Sequence, residues 1–122
     1  QIMINIKGYA HLGDALWELV VREIIVYKTG KLNELHKLTV QFVKAQFQND
    51  LLELLSSFLN EVELDILRRA RNIKTSSQRR INQTLHRNAT AFEAVLGYLY
   101  INNREKYDFV TDKLKAEVMK NC

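Results

Sequence analysis

The sequence predicts an all-α domain, and three observations carry that expectation. There is no proline in 122 residues and there are only four glycines, so few positions force a helix to stop. Apolar residues recur three and four apart through most of the chain, the spacing that gathers them on one face of a helix. They make up 47% of the residues, too many for a disordered segment and enough for one continuous core. No repeat, low-complexity stretch or second core breaks the pattern, so residues 1–122 read as a single domain.

A first helix is expected over residues 11–27. Leu12, Leu16, Leu19, Val20 and Glu23 keep helical spacing, Val21 and Ile24 widen the apolar face, and Thr29-Gly30 ends it. Leu12, Leu16, Trp17, Val20 and Ile24 wrap more than half its circumference. One neighbouring helix cannot cover so wide a face, which predicts a second subunit. A second helix starts with Asn33 as N-cap and carries Leu35, Leu38, Thr39 and Phe42. A third holds Phe47, Leu51, Leu54, Leu55 and Phe58, with the break between the two near residues 43–45.

Asn60 caps a fourth helix. Glu61, Glu63 and Asp65 sit at its positive end, and Arg68, Arg69 and Arg71 at its negative end. Residues 72–85 are polar, basic and without helical period, and read as a long exposed loop of the kind that is often functional. A fifth helix begins near Asn88 and buries Phe92, Val95, Leu96 and Leu99. Asn102-Asn103 turn the chain into a sixth, with Tyr107, Val110, Leu114 and Val118 on one face.

The net charge of +4 hides an asymmetry. Residues 66–92 hold Arg68, Arg69, Arg71, Lys74, Arg79, Arg80 and Arg87 and no acid, so this strip is +7 and the rest of the chain is −3. A basic strip on a weakly acidic body implies a polyanionic partner. The single cysteine, Cys122, can form no internal disulfide and has no second thiol for a zinc site, which fits a reducing cytoplasm. No apolar run approaches the roughly 20 residues that span a bilayer. The N-terminus carries no signal-peptide pattern, so no membrane partner is expected.

Against this background three acids stand out. Asp14 and Glu18 lie four apart in an apolar run, and Glu93 is the one charge in a second apolar run over residues 89–101. An ionised carboxylate loses several kcal/mol on leaving water unless it is paired or binds a cation. Two such runs, far apart in sequence, are most simply reconciled by one shared divalent metal. An acidic metal site beside a basic strip is the electrostatic layout of an enzyme that cuts a phosphodiester backbone. Other readings stand beside this one. Asp14 fits a helix N-cap, Glu18 an i, i+4 pair with Arg22, and Glu93 a buried pair with an arginine.

Thr90, Glu93 and Gly97 form a small polar stripe, and Gly97 marks the close approach of another backbone, with the first helix as the candidate. His36 reads as a solvated helix residue and His86 as part of the basic strip, neither having ligand spacing to another His or Cys. Trp17 and the tyrosines read as packing residues rather than base-stacking platforms.

With these motifs in hand, the chain resembles the ribonuclease III catalytic domain, and most of all its short bacterial form, the mini-ribonucleases III. The resemblance rests on the run from His11 to Glu23 with its LGDA core at Leu12 to Ala15, on GKLNELHKLTVQFVKAQ, on RRARN, and on TAFEAVLGYLY. These occur in family order and cover most of the chain. The larger enzymes carry a carboxylate four residues before the signature aspartate and an aspartate three before the second glutamate. Here those places hold Ala10 and Thr90, and the mini-form has similar small or hydroxyl residues there.

The resemblance implies a homodimeric helical fold that hydrolyses double-stranded RNA with Mg²⁺ or Mn²⁺, leaving 5′-phosphate and 3′-hydroxyl ends. It places Asp14 and Glu93 on the family's essential metal-binding carboxylates, with Glu18 a candidate to hold a metal-bound water. Arg68, Arg69, Arg71, Lys74, Arg79, Arg80 and Arg87 become the RNA grip. His11 takes the place of an aromatic residue that inserts into the partner subunit, and Leu12 and Trp17 join it at the dimer contact. The biological role implied is maturation of precursor large-subunit ribosomal RNA, with ribosomal proteins as further partners. The rival reading is a non-catalytic member of the same fold that binds RNA or the ribosome. The retained acids argue against it, and the acid-free basic strip argues against a simple protein-interaction adaptor.

Overall fold

The computed structural model describes residues 3–73 and 82–122. Six helices follow one another: α1 (Ile6–Ile25), α2 (Leu32–Val43), α3 (Ala45–Ser56), α4 (Glu61–Arg71), α5 (Gln83–Asn102) and α6 (Arg104–Lys120). The described residues contain no strand, as the sequence predicts. None of the helices among them is long and apolar enough to cross a membrane.

Local chemistry sets the helix ends and corrects three of the expected starts. The first helix starts at Ile6 rather than residue 11, because Asn5 caps it by accepting from the Gly8 N–H at 3.0 Å. Asp14 therefore sits mid-helix and is no N-cap. Lys31, not Asn33, is the N-cap of α2; Thr29 organises the turn before it, accepting from Lys31 N–H and donating to Glu34 Oε1. Asn33 falls inside the first turn. The fifth helix starts at Gln83 instead of Asn88, so the expected loop is shorter at its far end. Residues 74–81 of that loop lie outside the described residues. Two helices also end short of expectation, α1 at Ile25 rather than residue 27 and α3 at Ser56, before Phe58. Asn60 and Glu63 close a reciprocal capping box on α4, and the break between α2 and α3 is one extended residue, Lys44.

Helix α5 is the centre of the domain, with α1, α3, α4 and α6 packed around it. Phe92, Val95, Leu96 and Leu99 are fully enclosed there. Trp17 of α1 is also fully enclosed, edge-on to Phe92 at 5.0 Å between ring centroids. Its indole Nε1 donates to the Phe42 carbonyl at 2.8 Å, which satisfies a carbonyl of α2's last turn that has no intrahelical partner. Glu63 is buried as well, and Lys106 of α6 donates to its Oε1, tying α6 to the start of α4.

The wide apolar face of α1 is thus largely covered within one chain. Leu16, Trp17, Val20 and Ile24 are all buried without a second subunit. Trp17 in particular is no surface residue, so its expected place at a dimer contact is corrected: the indole belongs to the protomer's own core. Leu12 remains half-buried, and His11 and Leu19 are exposed.

The crossing of α1 and α5 has no room for side chains. A Cβ on Gly13 would lie 1.7 Å from the Glu93 carbonyl oxygen, and one on Gly97 would lie 2.1 Å from that of Tyr9. The two helices run antiparallel through these contacts, backbone on backbone. Gly97 therefore meets the first helix, as its position in an apolar run suggests.

Candidate active site

Because Gly13 touches the backbone of Glu93, the next residue on α1, Asp14, is carried to the Glu93 side chain. Both carboxylates line one open cavity of about 400 Å³. The α1 wall is Lys7, Ala10, His11 and Asp14, and the α5 wall is His86, Thr90 and Glu93. Both sets follow helical spacing, with Lys7, His11 and Asp14 matching His86, Thr90 and Glu93 at i, i+4 and i+7. Ile73 closes one side. Antiparallel crossing puts Lys7 and His11 on one side of the acid pair and Thr90 and His86 on the other.

Asp14 is exposed, whereas Glu93 is half-buried. Burial pushes the Glu93 carboxyl up to about 8; Gln48, which donates from Nε2 to Glu93 Oε2 at 3.1 Å, opposes the shift, and Asp14 adds to it through a shared hydrogen bond and like charge. The buried arginine partner considered for Glu93 is absent among the described residues, and the contact found there is an uncharged amide.

This donor set fits a hard divalent cation. It offers carboxylate oxygens from two packed helices and open space beside them. Among the described residues no cluster of three or more His, Cys, Asp or Glu side chains could enclose a metal. The fit is therefore to an ion that keeps several waters, as Mg²⁺ does, rather than to one caged wholly by protein.

Glu18 lies one turn beyond Asp14 and outside the cavity lining, where it pairs with Arg22 at 2.7 Å. The i, i+4 pair expected for Glu18 is therefore formed.

A second cavity, of about 210 Å³, lies between the end of α4 and the start of α5. Arg68, Arg71 and Arg87 line it together with Asn72, Thr84 and Asn88. Arg68 is also paired with Asp65 at 2.6 Å, and Arg69 is exposed outside the cavity. Three of the seven basic residues are thus gathered by the fold. Lys74, Arg79 and Arg80 lie outside the described residues. His36 is exposed, as expected.

Three site residues escaped sequence reasoning. Lys7 and His86 carried a usable signal, since each lies seven residues before an acid on the same helix. Gln48 carried none: it is one polar residue among Phe47, Leu51, Leu54 and Leu55.

Comparison with known proteins identifies the chain's relatives. The ribonuclease III domain family matches residues 7–104. The mini-ribonuclease 3 of Gloeobacter violaceus is 42% identical over 103 residues, covering 84% of this chain and 76% of that protein. The mini-ribonuclease 3 of Clostridium tetani is 39% identical over 101 residues, covering 80% of this chain and 66% of that protein. A crystal structure of a Fusobacterium nucleatum protein superimposes with a TM-score of 0.82 at 30% identity, over 96% of this chain and 93% of that one. The chain belongs to the ribonuclease III family of endoribonucleases, and the mini-ribonucleases are relatives it resembles across most of its length.

Proposed function

We propose that this protein is a divalent-metal-dependent endoribonuclease that cuts both strands of duplex RNA and leaves 5′-phosphate and 3′-hydroxyl ends. The observation that carries the reading is the convergence of Asp14 and Glu93 on one open cavity. Asp14 and Glu93 would hold Mg²⁺, or Mn²⁺ in its place, with water completing the shell. When bound, the ion supplies an activated water and charge stabilisation at the phosphate.

The chain's own groups do the rest. Asp14 and Glu93 would present their carboxylate oxygens together at the crossing of two helices whose backbones touch. Lys7, His11 and His86 line the same cavity and offer N–H donors on either side of the acids, where phosphate oxygens would lie. Arg68, Arg71 and Arg87, with Arg69, Lys74, Arg79 and Arg80, would grip phosphates farther along and select the A-form duplex mainly by shape. One chain supplies one acid pair. Cutting two strands therefore calls for a two-fold homodimer, with His11 and Leu12 of the signature helix at the contact. Family resemblance supports precursor large-subunit ribosomal RNA as substrate, ribosomal proteins as co-partners and the cytoplasm as compartment.

The test is cleavage of end-labelled duplex RNA with and without Mg²⁺. Asp14→Asn and Glu93→Gln should each abolish cleavage and retain duplex binding. The double variant should be little worse than either single one, as for groups acting as a unit. Near wild-type turnover by Asp14→Asn would remove this reading. A wild-type protein that binds duplex RNA but never cuts it would favour the non-catalytic alternative.

A further inference from the structure

Gln48 is only 2% exposed, yet among the described residues its one side-chain hydrogen bond reaches an acid of the site, from Nε2 to Glu93 Oε2 at 3.1 Å. The next residue on α3, Asn49, accepts from Asn88 Nδ2 at 2.6 Å. Two successive side chains of α3 therefore bond α5, at residues 88 and 93, and only the first touches a carboxylate. Burying a primary amide costs free energy unless it is hydrogen-bonded, so the Gln48 contact is strongly directed.

We propose that Gln48 is a positioning residue for the metal site: by occupying Oε2 of Glu93 it fixes the carboxylate plane and presents Oε1 to Asp14 and the cavity. This rests on the metal-site reading above. The terminal torsion of a glutamate is broad and nearly two-fold, so an unheld carboxylate offers either oxygen over a wide range of angles. A held one loses less freedom when an ion binds.

The neutrality of the amide matters as much as its place. A lysine or arginine here would cancel the charge that a cation needs. An apolar side chain would leave Oε2 without a donor, and an acid would add a third like charge. Glutamine makes the hydrogen bond and leaves the negative charge of the Asp14–Glu93 pair for the metal. Partners that orient metal ligands in this way typically contribute about 10–100-fold in affinity or activity.

The proposal is tested on the full chain with Mn²⁺ alone, following free Mn²⁺ by electron paramagnetic resonance. Gln48→Met keeps the length and removes the donor. It should weaken Mn²⁺ binding by about tenfold or more and lower kcat, with KM for duplex RNA unchanged because the arginine cavity is intact. Asn49→Ala removes the other α3–α5 bond. It should lower the melting temperature and leave Mn²⁺ affinity within about twofold of wild type, below the range expected for an orienting partner.

Wild-type Mn²⁺ affinity in Gln48→Met, or an equal loss in Asn49→Ala, overturns the assignment. Should Gln48→Met fail to fold, the wild-type protein still answers. The Gln48 side-chain amide resonance should move on addition of Mg²⁺ in wild type and stay still in Asp14→Asn. A resonance indifferent to Mg²⁺ in wild type also overturns it. Asp14→Asn separates the two levels: if it binds Mn²⁺ as wild type does, the metal site itself is misplaced and this proposal falls with it. If Asp14→Asn loses Mn²⁺ and Gln48→Met does not, the metal site stands and Gln48 alone is dismissed.

Discussion

Gly13 is seated against the backbone of Glu93, with space for a hydrogen and none for a methyl group. That contact sets the separation of α1 and α5 at the point where each carries an acid of the cavity. Glycine at residue 13 is therefore a condition for Asp14 and Glu93 sharing one cavity. A methyl group there would push apart the two backbones that place them.

Gly13→Ala should consequently damage both stability and activity. Overpacking a core costs about 1–3 kcal/mol, and a clash at 1.7 Å with a backbone oxygen belongs at or above the top of that range. For a domain of this size the melting temperature should fall on the order of 10 °C. Any folded fraction should cleave duplex RNA poorly, because the acids are displaced. Calorimetry with a cleavage assay on the same preparation checks both. An unchanged melting temperature would mean that the helices do not meet at Gly13.

The raised Glu93 carboxyl gives metal-free stability a definite dependence on pH. The native state holds this proton more tightly than the unfolded chain, whose glutamate titrates near 4.5, against about 8 when folded. The contribution is complete below about 4.5, drains as pH rises, and is lost above about 8. Across that window the slope approaches about 1.4 kcal/mol per pH unit at most. In chelator, wild type should therefore lose melting temperature from pH 5 to pH 8 more steeply than Glu93→Gln, a comparison that cancels other titrating groups. Added Mg²⁺ should restore the wild type at the high-pH end. Parallel curves for the two proteins would count against a strained acid pair.

Much of this was legible in the chain, and the reasons differ by residue. Asp14 and Glu93 were visible because a charge in an apolar helix is conspicuous, and Gly97 because a mid-helix glycine is. The ends of α1 and α5 were misplaced because Asn5 caps from before the apolar run, and because Gln83 to Arg87 are helical without an apolar stripe. The dimer argument from α1 overreached because α5 and its neighbours cover more of a helix than one partner can. Gln48 was invisible. A buried glutamine looks like any surface one until the acid it meets, 45 residues away, is folded against it.

The arginine cavity should carry much of the salt dependence of RNA binding. Arg71→Gln with Arg87→Gln should weaken duplex binding at moderate salt and flatten the plot of log K against log salt. Each lost phosphate contact should reduce the slope by about 0.9, on the scale established for B-form DNA. Arg79→Gln with Arg80→Gln should do the same if the acid-free strip tracks the RNA along its length. Arg68 should matter less, since Asp65 already holds it. Filter binding over a salt series decides this, and an unchanged slope in both double variants would mark the strip as merely solvated.

The last expectation concerns assembly. Of the α1 residues assigned to a partner contact, Trp17 is turned inward, and His11 lines the acid cavity, where a new charge would disturb the site directly. Leu12 is the cleaner probe. It is half-buried and lies two turns before Leu19, which is 54% exposed, so the two form an apolar stripe along the outside of α1. Leu12→Asp would place a carboxylate without a partner in any interface built on that stripe. Wild type should sediment as a dimer at micromolar concentration and Leu12→Asp as a folded monomer. The variant should bind Mn²⁺ normally and cut duplex RNA slowly, because each chain retains its acid pair but no second site faces the opposite strand. A wild-type protein that runs as a fully active monomer would refute the paired-site account and leave the stripe with no role in assembly.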